Sequence, residues 1–343
     1  MSSRVNPTFL KRLADPSIKT VYLCGCGGGF DFVHAMLLVP ELRRLGKELV
    51  LGSYSFGYPQ EIGGEAPVVF SRGEVMVKRV SAASTPDPYY GPEVHVASYL
   101  DARYPDRAPH WLYAYYARDF TVGVLRAFYQ ELVVRHRIDA VVLVDGGSDS
   151  LLAGDEAGLG DPIEDCVSVS AVAALEGVGC KVLLAAGLGC DRFNDVSDAS
   201  SLRAIAELTA RGAFLGALAL EPEGEAFRFY RGCLEHIEAR QPFRSVLAGA
   251  IIAATEGAFG RDAIPPRLAS RVAQGEVYFW PLMGMLWAFD VEGVARRSLL
   301  SGWIREAETV ADCYEAMYKG RALLARGVRP VEDLPRHREA RPR

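Results

Sequence analysis

Asp139-Ala140-Val141-Val142-Leu143-Val144-Asp145-Gly146-Gly147-Ser148-Asp149 decides how this chain is read. Its unbroken apolar run, without polar alternation, marks a strand covered on both faces, as parallel strands of α/β sheets are. The run passes straight into a glycine turn flanked by acids. From Ile138 to Cys180 there is no Lys or Arg, yet nine acids occur: Asp139, Asp145, Asp149, Asp155, Glu156, Asp161, Glu164, Asp165 and Glu176. Crowded carboxylates repel one another, and burying them unpaired is expensive. Something must compensate them: helix N-termini, shared protons, a distant Arg, a metal ion or a cationic ligand.

The same strand-then-glycine pattern occurs near the N-terminus. Thr20–Cys24 reads as a first strand, and Gly25-Cys26-Gly27-Gly28-Gly29-Phe30-Asp31 turns it into a helix over about Phe32–Leu45, stopped by Gly46. Glu48–Ser53 follows as a second strand, giving a β-α-β unit. The turn departs from a dinucleotide fingerprint: Phe30 stands where the third glycine belongs, and Leu51-Gly52-Ser53-Tyr54 offers no acid for a ribose. It is not a Walker loop, because no Lys-Ser or Lys-Thr follows. The consecutive glycines Gly27, Gly28 and Gly29, with Asp31, are instead expected to hold an anionic group at the positive end of the helix. His34, one turn further on, either faces that pocket or packs against the sheet.

Tyr54–Trp111 reads as irregular and rich in Gly and Pro. Val68–Phe70 and Val75–Val80 pair there as short strands, and the segment is expected to be a small subdomain or a lid. Tyr113–Arg137 is expected as one long helix. Beyond the acid loop, Asp161-Pro162-Ile163-Glu164 fits an N-cap, a first-position proline and a capping-box acid, opening a helix to about Leu175. Lys181–Ala186 is a further strand, ending in Gly187-Leu188-Gly189-Cys190-Asp191. Helices are expected over about Ser200–Arg211, Phe227–Arg240, Ser245–Thr255 and Gly302–Arg326, with a strand at Phe214–Leu220. The aromatic and Met-rich stretch Val277–Asp290 is expected in the core or at a homo-oligomer interface.

Together these patterns imply an α/β fold: an open, mostly parallel Rossmann-like sheet with helices on both faces, an irregular insertion and a helical C-terminal portion. The expected organisation is a single domain over 1–325 with a lid-like insertion at about 55–111, then a basic tail at 326–343. The net charge of -5 carries no footprint for nucleic acid or an anionic membrane. The seven scattered cysteines suit a reducing cytoplasm better than a disulfide framework. The opening residues lack a signal-peptide core, and no apolar run is long enough to span a bilayer.

The motifs also resemble a known family. Gly25-Cys26-Gly27-Gly28-Gly29-Phe30-Asp31, Val144–Asp149 with Gly154-Asp155-Glu156, and Trp280-Pro281-Leu282-Met283 look like a prokaryotic domain of unknown function, family 1152. That resemblance covers most of the chain and implies no chemistry. More locally, Asp145-Gly146-Gly147-Ser148-Asp149 is similar to the Asp-Gly-Gly-Asn-Glu loop of D-glutamate cyclase-like proteins, with Ser148 in place of the amide and Asp149 a shorter acid. This implies small-molecule acid/base chemistry.

The resulting expectation is an enzyme acting on a small polar, anionic metabolite as a lyase, hydrolase or cyclising enzyme, without NAD. Asp145, Asp149 and His34 are the candidate catalytic residues. Gly27, Gly28, Gly29, Asp31, Gly146, Gly147, Ser148 and Cys190 are candidates for binding substrate. Asp145, Asp149, Asp155 and Glu156 could ligate a metal, and oxygen ligands without a His pair suit Mg²⁺ or Ca²⁺. The competing reading is a non-catalytic binding or sensor protein for a nucleotide or sugar phosphate.

Overall fold

The computed structural model describes residues 6–271 and 277–331. Eleven strands are present among them: β1 Thr20–Gly25, β2 Glu48–Ser55, β3 Gly63–Gly64, β4 Val68–Arg72, β5 Val75–Val80, β6 Ser84–Thr85, β7 Leu112–Tyr116, β8 Ala140–Asp145, β9 Cys180–Ala186, β10 Phe214–Ala219 and β11 Met285–Asp290. Nine form one sheet in the order β10-β11-β9-β8-β1-β2-β7-β5-β4, and β3 pairs with β6 apart from it. The five central strands, β9-β8-β1-β2-β7, are mutually parallel. Antiparallel pairings extend the sheet on both sides, through β11 and β10 on one and β5 and β4 on the other.

Alternation along the central strands builds two cores. Val21 and Leu23 of β1 and Val142 and Val144 of β8 pack on one face, with the helices Pro92–Arg103, Glu225–Glu238 and Val246–Thr255. Tyr22, Cys24, Val141 and Leu143 pack on the other, under Val122–His136 and Pro162–Ala173. This two-sided cover explains why every residue of β8 is buried and why its sequence does not alternate.

The chain lays β2 and then β7 on one side of β1, and returns to place β8 and β9 on the other side. The order therefore reverses between β1 and β8. At such a point the loops leaving two neighbouring strands diverge and open a crevice at their carboxyl ends. Both glycine turns found in the sequence lie there.

Several elements differ from the sequence expectation. Tyr113–Arg137 is not one helix: Leu112–Tyr116 is the buried strand β7, and the helix begins at Val122. The β-prone aromatics Tyr113 and Tyr115 signal the strand, but the helical spacing that follows masks it. The insertion is not irregular throughout. It adds β4 and β5 to the sheet and carries the helix Pro92–Arg103, started by a proline in its first turn. The first helix is broken into Asp31–His34, a 3₁₀ turn at Ala35–Leu37, and Val39–Arg44. Pro40 cannot donate the backbone hydrogen bond that a continuous helix would need.

The aromatic stretch at 277–290 supplies β11, which is paired on both edges within the sheet, so its apolar content is used by the core. The capping box expected at Asp161 and Glu164 does not form, although Pro162 does open the helix. A capping box occurs instead at Thr309 and Asp312, where the last long helix, Val310–Ala322, starts. Of the expected basic tail, 332–343 lie outside the described residues. Arg329 is bound to the body of the protein.

Candidate acidic cation site

The crevice between β1 and β8 holds a cavity of about 270 Å³, just below the range of roughly 300–1,000 Å³ for small-molecule pockets. Asp31, Asp145, Asp149, Asp161, Glu164, Asp165 and Asp191 all line it. Three of them converge: carboxylate oxygens of Asp31, Asp145 and Asp165 lie within 4.8 Å of one another.

Each of the three comes from a different element. Asp31 opens the short helix after the first glycine turn. Its Oδ2 accepts the Gly27 N–H at 2.8 Å and its Oδ1 the Gly146 N–H at 3.1 Å, so it ties the turn after β1 to the turn after β8. Asp145 is the last residue of β8 and accepts a hydrogen bond from the Ser150 hydroxyl. Asp165 sits in the first turn of Pro162–Ala173, and its Oδ1 is buried without a hydrogen-bond partner.

The glycines are needed for these approaches. A Cβ on Gly27 would stand 2.6 Å from Asp165 Oδ2 and 3.0 Å from Asp31 Oδ2. One on Gly146 would stand 2.5 Å from His34 Nε2 and 2.8 Å from Asp31 Oδ1. Any side chain at either position would enter the carboxylate cluster.

Burial, joined in several cases by repulsion between neighbours, raises the proton affinity of Asp31, Asp145, Asp149, Glu164, Asp165 and Asp191. Asp31 and Asp165 are held well above the ordinary carboxylate range, first by burial and then by neighbouring aspartates. Asp149 is raised in the same way, with Asp191 its strongest charged neighbour. Burial pushes Asp145 up to about 6 against the opposing pull of Ser150 and the Gly147 amide. Burial and then Asp145 push Asp191 up to about 8, although the Ser148 N–H and hydroxyl donate to it at 2.7 and 3.3 Å. Glu164, raised by burial to about 7, pairs with Arg118 at 3.0 Å on the rim.

His34 also lines this cavity. It is 1% exposed, its Nδ1 lies 2.8 Å from the Tyr230 hydroxyl, and its Nε2 has no hydrogen-bond partner. Burial lowers its pKa to about 3, so the ring is neutral at ordinary pH.

The structure thus gathers Asp145, Asp149, His34, Asp31 and Gly27–Gly29 around one cavity, and separates other candidates from it. Asp155 and Glu156, expected as metal ligands, do not line it. Arg329 binds both carboxylates, and Glu156 also accepts the Ala153 and Gly154 N–H groups at 3.0 and 2.8 Å. These two acids hold the chain together instead. Cys190 is buried in the hydrophobic core rather than at the cavity wall. The Ser148 side chain is occupied by Asp191 and by the Ser201 hydroxyl at 2.8 Å, and the two acid-loop glycines serve close packing: a Cβ on Gly147 would collide with the Asp191 carboxylate.

The first turn also differs from an anion cradle. The Gly27 N–H donates to Asp31 and the Gly28 backbone serves Glu164, so protein carboxylates already occupy these donors. Asp165, Glu164 and Asp191 were not among the sequence candidates. Glu164 and Asp165 open the otherwise largely apolar helix Pro162–Ala173, and both are buried with it.

Residues 116–322 match the family described as Protein of unknown function (DUF1152). The chain belongs to that family. The matched segment contains Asp145, Asp149, Asp165 and Asp191, whereas Asp31 and His34 precede it. No curated protein and no solved structure matches the chain, so the local likeness to D-glutamate cyclase-like proteins gains no support.

Proposed function

We propose that this protein is a divalent-cation-dependent enzyme acting on a small polar metabolite, with a Rossmann-like sheet carrying the site at its order reversal. Asp31, Asp145 and Asp165 hold the ion, while Asp149, Asp191 and His34 face the substrate. The observation that carries this reading is the Asp165 Oδ1 atom, buried and unpartnered beside two further carboxylates within 4.8 Å. Charges this close are stable together only with protons or a cation among them. An all-oxygen donor set suits Mg²⁺, Mn²⁺ or Ca²⁺.

An anionic substrate then reaches the site through the ion, since the Gly27 and Gly28 amides are occupied by protein carboxylates. Polarising a carbonyl or phosphoryl oxygen and lowering the pKa of water are what such an ion supplies. This supports hydrolase, lyase or intramolecular cyclisation chemistry, with the neutral His34 beside the substrate. Calorimetric titration of EDTA-stripped protein with MnCl₂, MgCl₂ and CaCl₂ tests the reading. At least one ion should bind, and Asp165→Asn should weaken it about tenfold or more, equivalent to roughly 1.4 kcal/mol. If no ion binds, or if an organic diamine binds in place of every ion, the proposal is wrong.

A further inference from the structure

The pairing of His34 with Tyr230 carries the reading of this site one step further. Tyr230 lies on Glu225–Glu238, outside the cavity lining, and is fully buried. Its hydroxyl sits 2.8 Å from His34 Nδ1, and the two rings pack with centroids 5.7 Å apart. Two arrangements of protons fit that distance. If Nδ1 carried the hydrogen and donated to the tyrosine oxygen, the Tyr230 O–H would need an acceptor elsewhere in the core. The described residues place no other hydrogen-bond partner at that hydroxyl, and an unsatisfied buried donor costs about 1–3 kcal/mol. If Tyr230 donates to Nδ1 instead, its hydroxyl is satisfied, and the imidazole hydrogen must reside on Nε2.

The surroundings of Nε2 favour the same arrangement. This atom is buried without a protein partner, on a side chain that lines the cavity. The Gly146 site places it and Asp31 Oδ1 around the same point, at 2.5 and 2.8 Å from where a Cβ would stand. A bare nitrogen lone pair among carboxylate oxygens would be repelled, whereas an N–H is attracted.

We propose that Tyr230 is a positioning residue that locks His34 as its Nε2–H tautomer, making His34 a neutral hydrogen-bond donor at the cavity wall. His34 is then neither a metal ligand nor a ready proton acceptor. It supplies a donor that a substrate oxygen can accept. The substrate class is accordingly one that offers an oxygen acceptor beside the ion, a carbonyl, carboxylate or phosphoryl group, and a purely cationic amine is excluded. In the reaction, the Nε2–H stabilises negative charge developing on that oxygen, the role of a preorganised dipole. This rests on the cation-site reading for its chemistry, but the tautomer itself is a property of the metal-free protein.

Long-range ¹H–¹⁵N correlation of the imidazoles in ¹⁵N-labelled, EDTA-treated protein near neutral pH decides the matter. The six histidines give separate patterns, and His34→Gln assigns the one that disappears. The expected His34 pattern is that of a neutral Nε2–H ring. In Tyr230→Phe that pattern should shift toward Nδ1–H or a mixture. A wild-type Nδ1–H pattern, or a doubly protonated ring, overturns the proposal. So does a Tyr230→Phe spectrum that keeps the wild-type tautomer. If Tyr230→Phe fails to fold, the wild-type pattern alone decides. Failure of ion binding in the calorimetric titration would remove the cation-site reading and leave this tautomer result standing.

Discussion

Replacing Asp191 with Asn should make the metal-free protein more stable above neutral pH. Asp191 is 4% exposed, and burial, reinforced by Asp145, pushes its carboxyl up to about 8. In the unfolded chain the same group loses its proton near pH 4. Between those values the folded protein holds a proton that the unfolded chain has released. Stability therefore falls as pH rises through that window, by roughly 1.4 kcal/mol per pH unit. Below about pH 4 both states are protonated and the contribution vanishes; above about pH 8 it is fully developed. The complete fall is on the order of 5 kcal/mol, an upper bound because Asp145 takes part in the same titration. Asn has the same shape, accepts the Ser148 N–H, and never ionises. Urea denaturation in EDTA, followed by tryptophan fluorescence at about pH 4.5 and pH 8, measures the difference. Asp191→Asn should be more stable than wild type by about 2 kcal/mol or more at the higher pH, and by about 1 kcal/mol or less at the lower. Equal stability at both, or a less stable variant at pH 8, would refute the argument that this carboxyl is crowded and dehydrated.

Other substitutions separate the site from its supports. Gly146→Ala should lose about 1–3 kcal/mol of stability, because its Cβ would stand against His34 Nε2 and Asp31 Oδ1; thermal denaturation reads this, and unchanged melting would show that the crevice has room. Glu156→Ala should cost about 3 kcal/mol, since it leaves Arg297 and Arg329 short of a buried partner. Its affinity for Mn²⁺ should match that of wild type, and a large loss of affinity would return Glu156 to the candidate ligands. A divalent ion at a hundredfold excess over its dissociation constant should stabilise the wild type by about 2.7 kcal/mol. Asp165→Asn, tested at that same ion concentration, should show a much smaller rise in melting temperature.

Local pattern made much of this protein legible. The unbroken apolar run of Ala140–Val144 announced a two-sided strand because covering both faces removes alternation. The glycine turns after Cys24 and Asp145 were placed correctly at strand carboxyl ends, because close backbone approach there tolerates no Cβ. The proline after Asp161 marked the start of the helix Pro162–Ala173. Where two local signals overlapped, as at Leu112–Tyr116 before a long helix, the stronger periodicity hid the weaker strand.

The sequence by itself determined that acids would concentrate beside a sheet, since that follows from neighbouring residues. Which acids meet was decided only by the fold. Asp31, Asp145 and Asp165 belong to three separate elements, and they converge because the strand order reverses between β1 and β8. Asp155 and Glu156, close to Asp149 along the chain, were drawn away by Arg329, 174 positions from Asp155. Electrostatic partnership depends on distance in space, and a charge that distant in sequence leaves no mark on the local pattern.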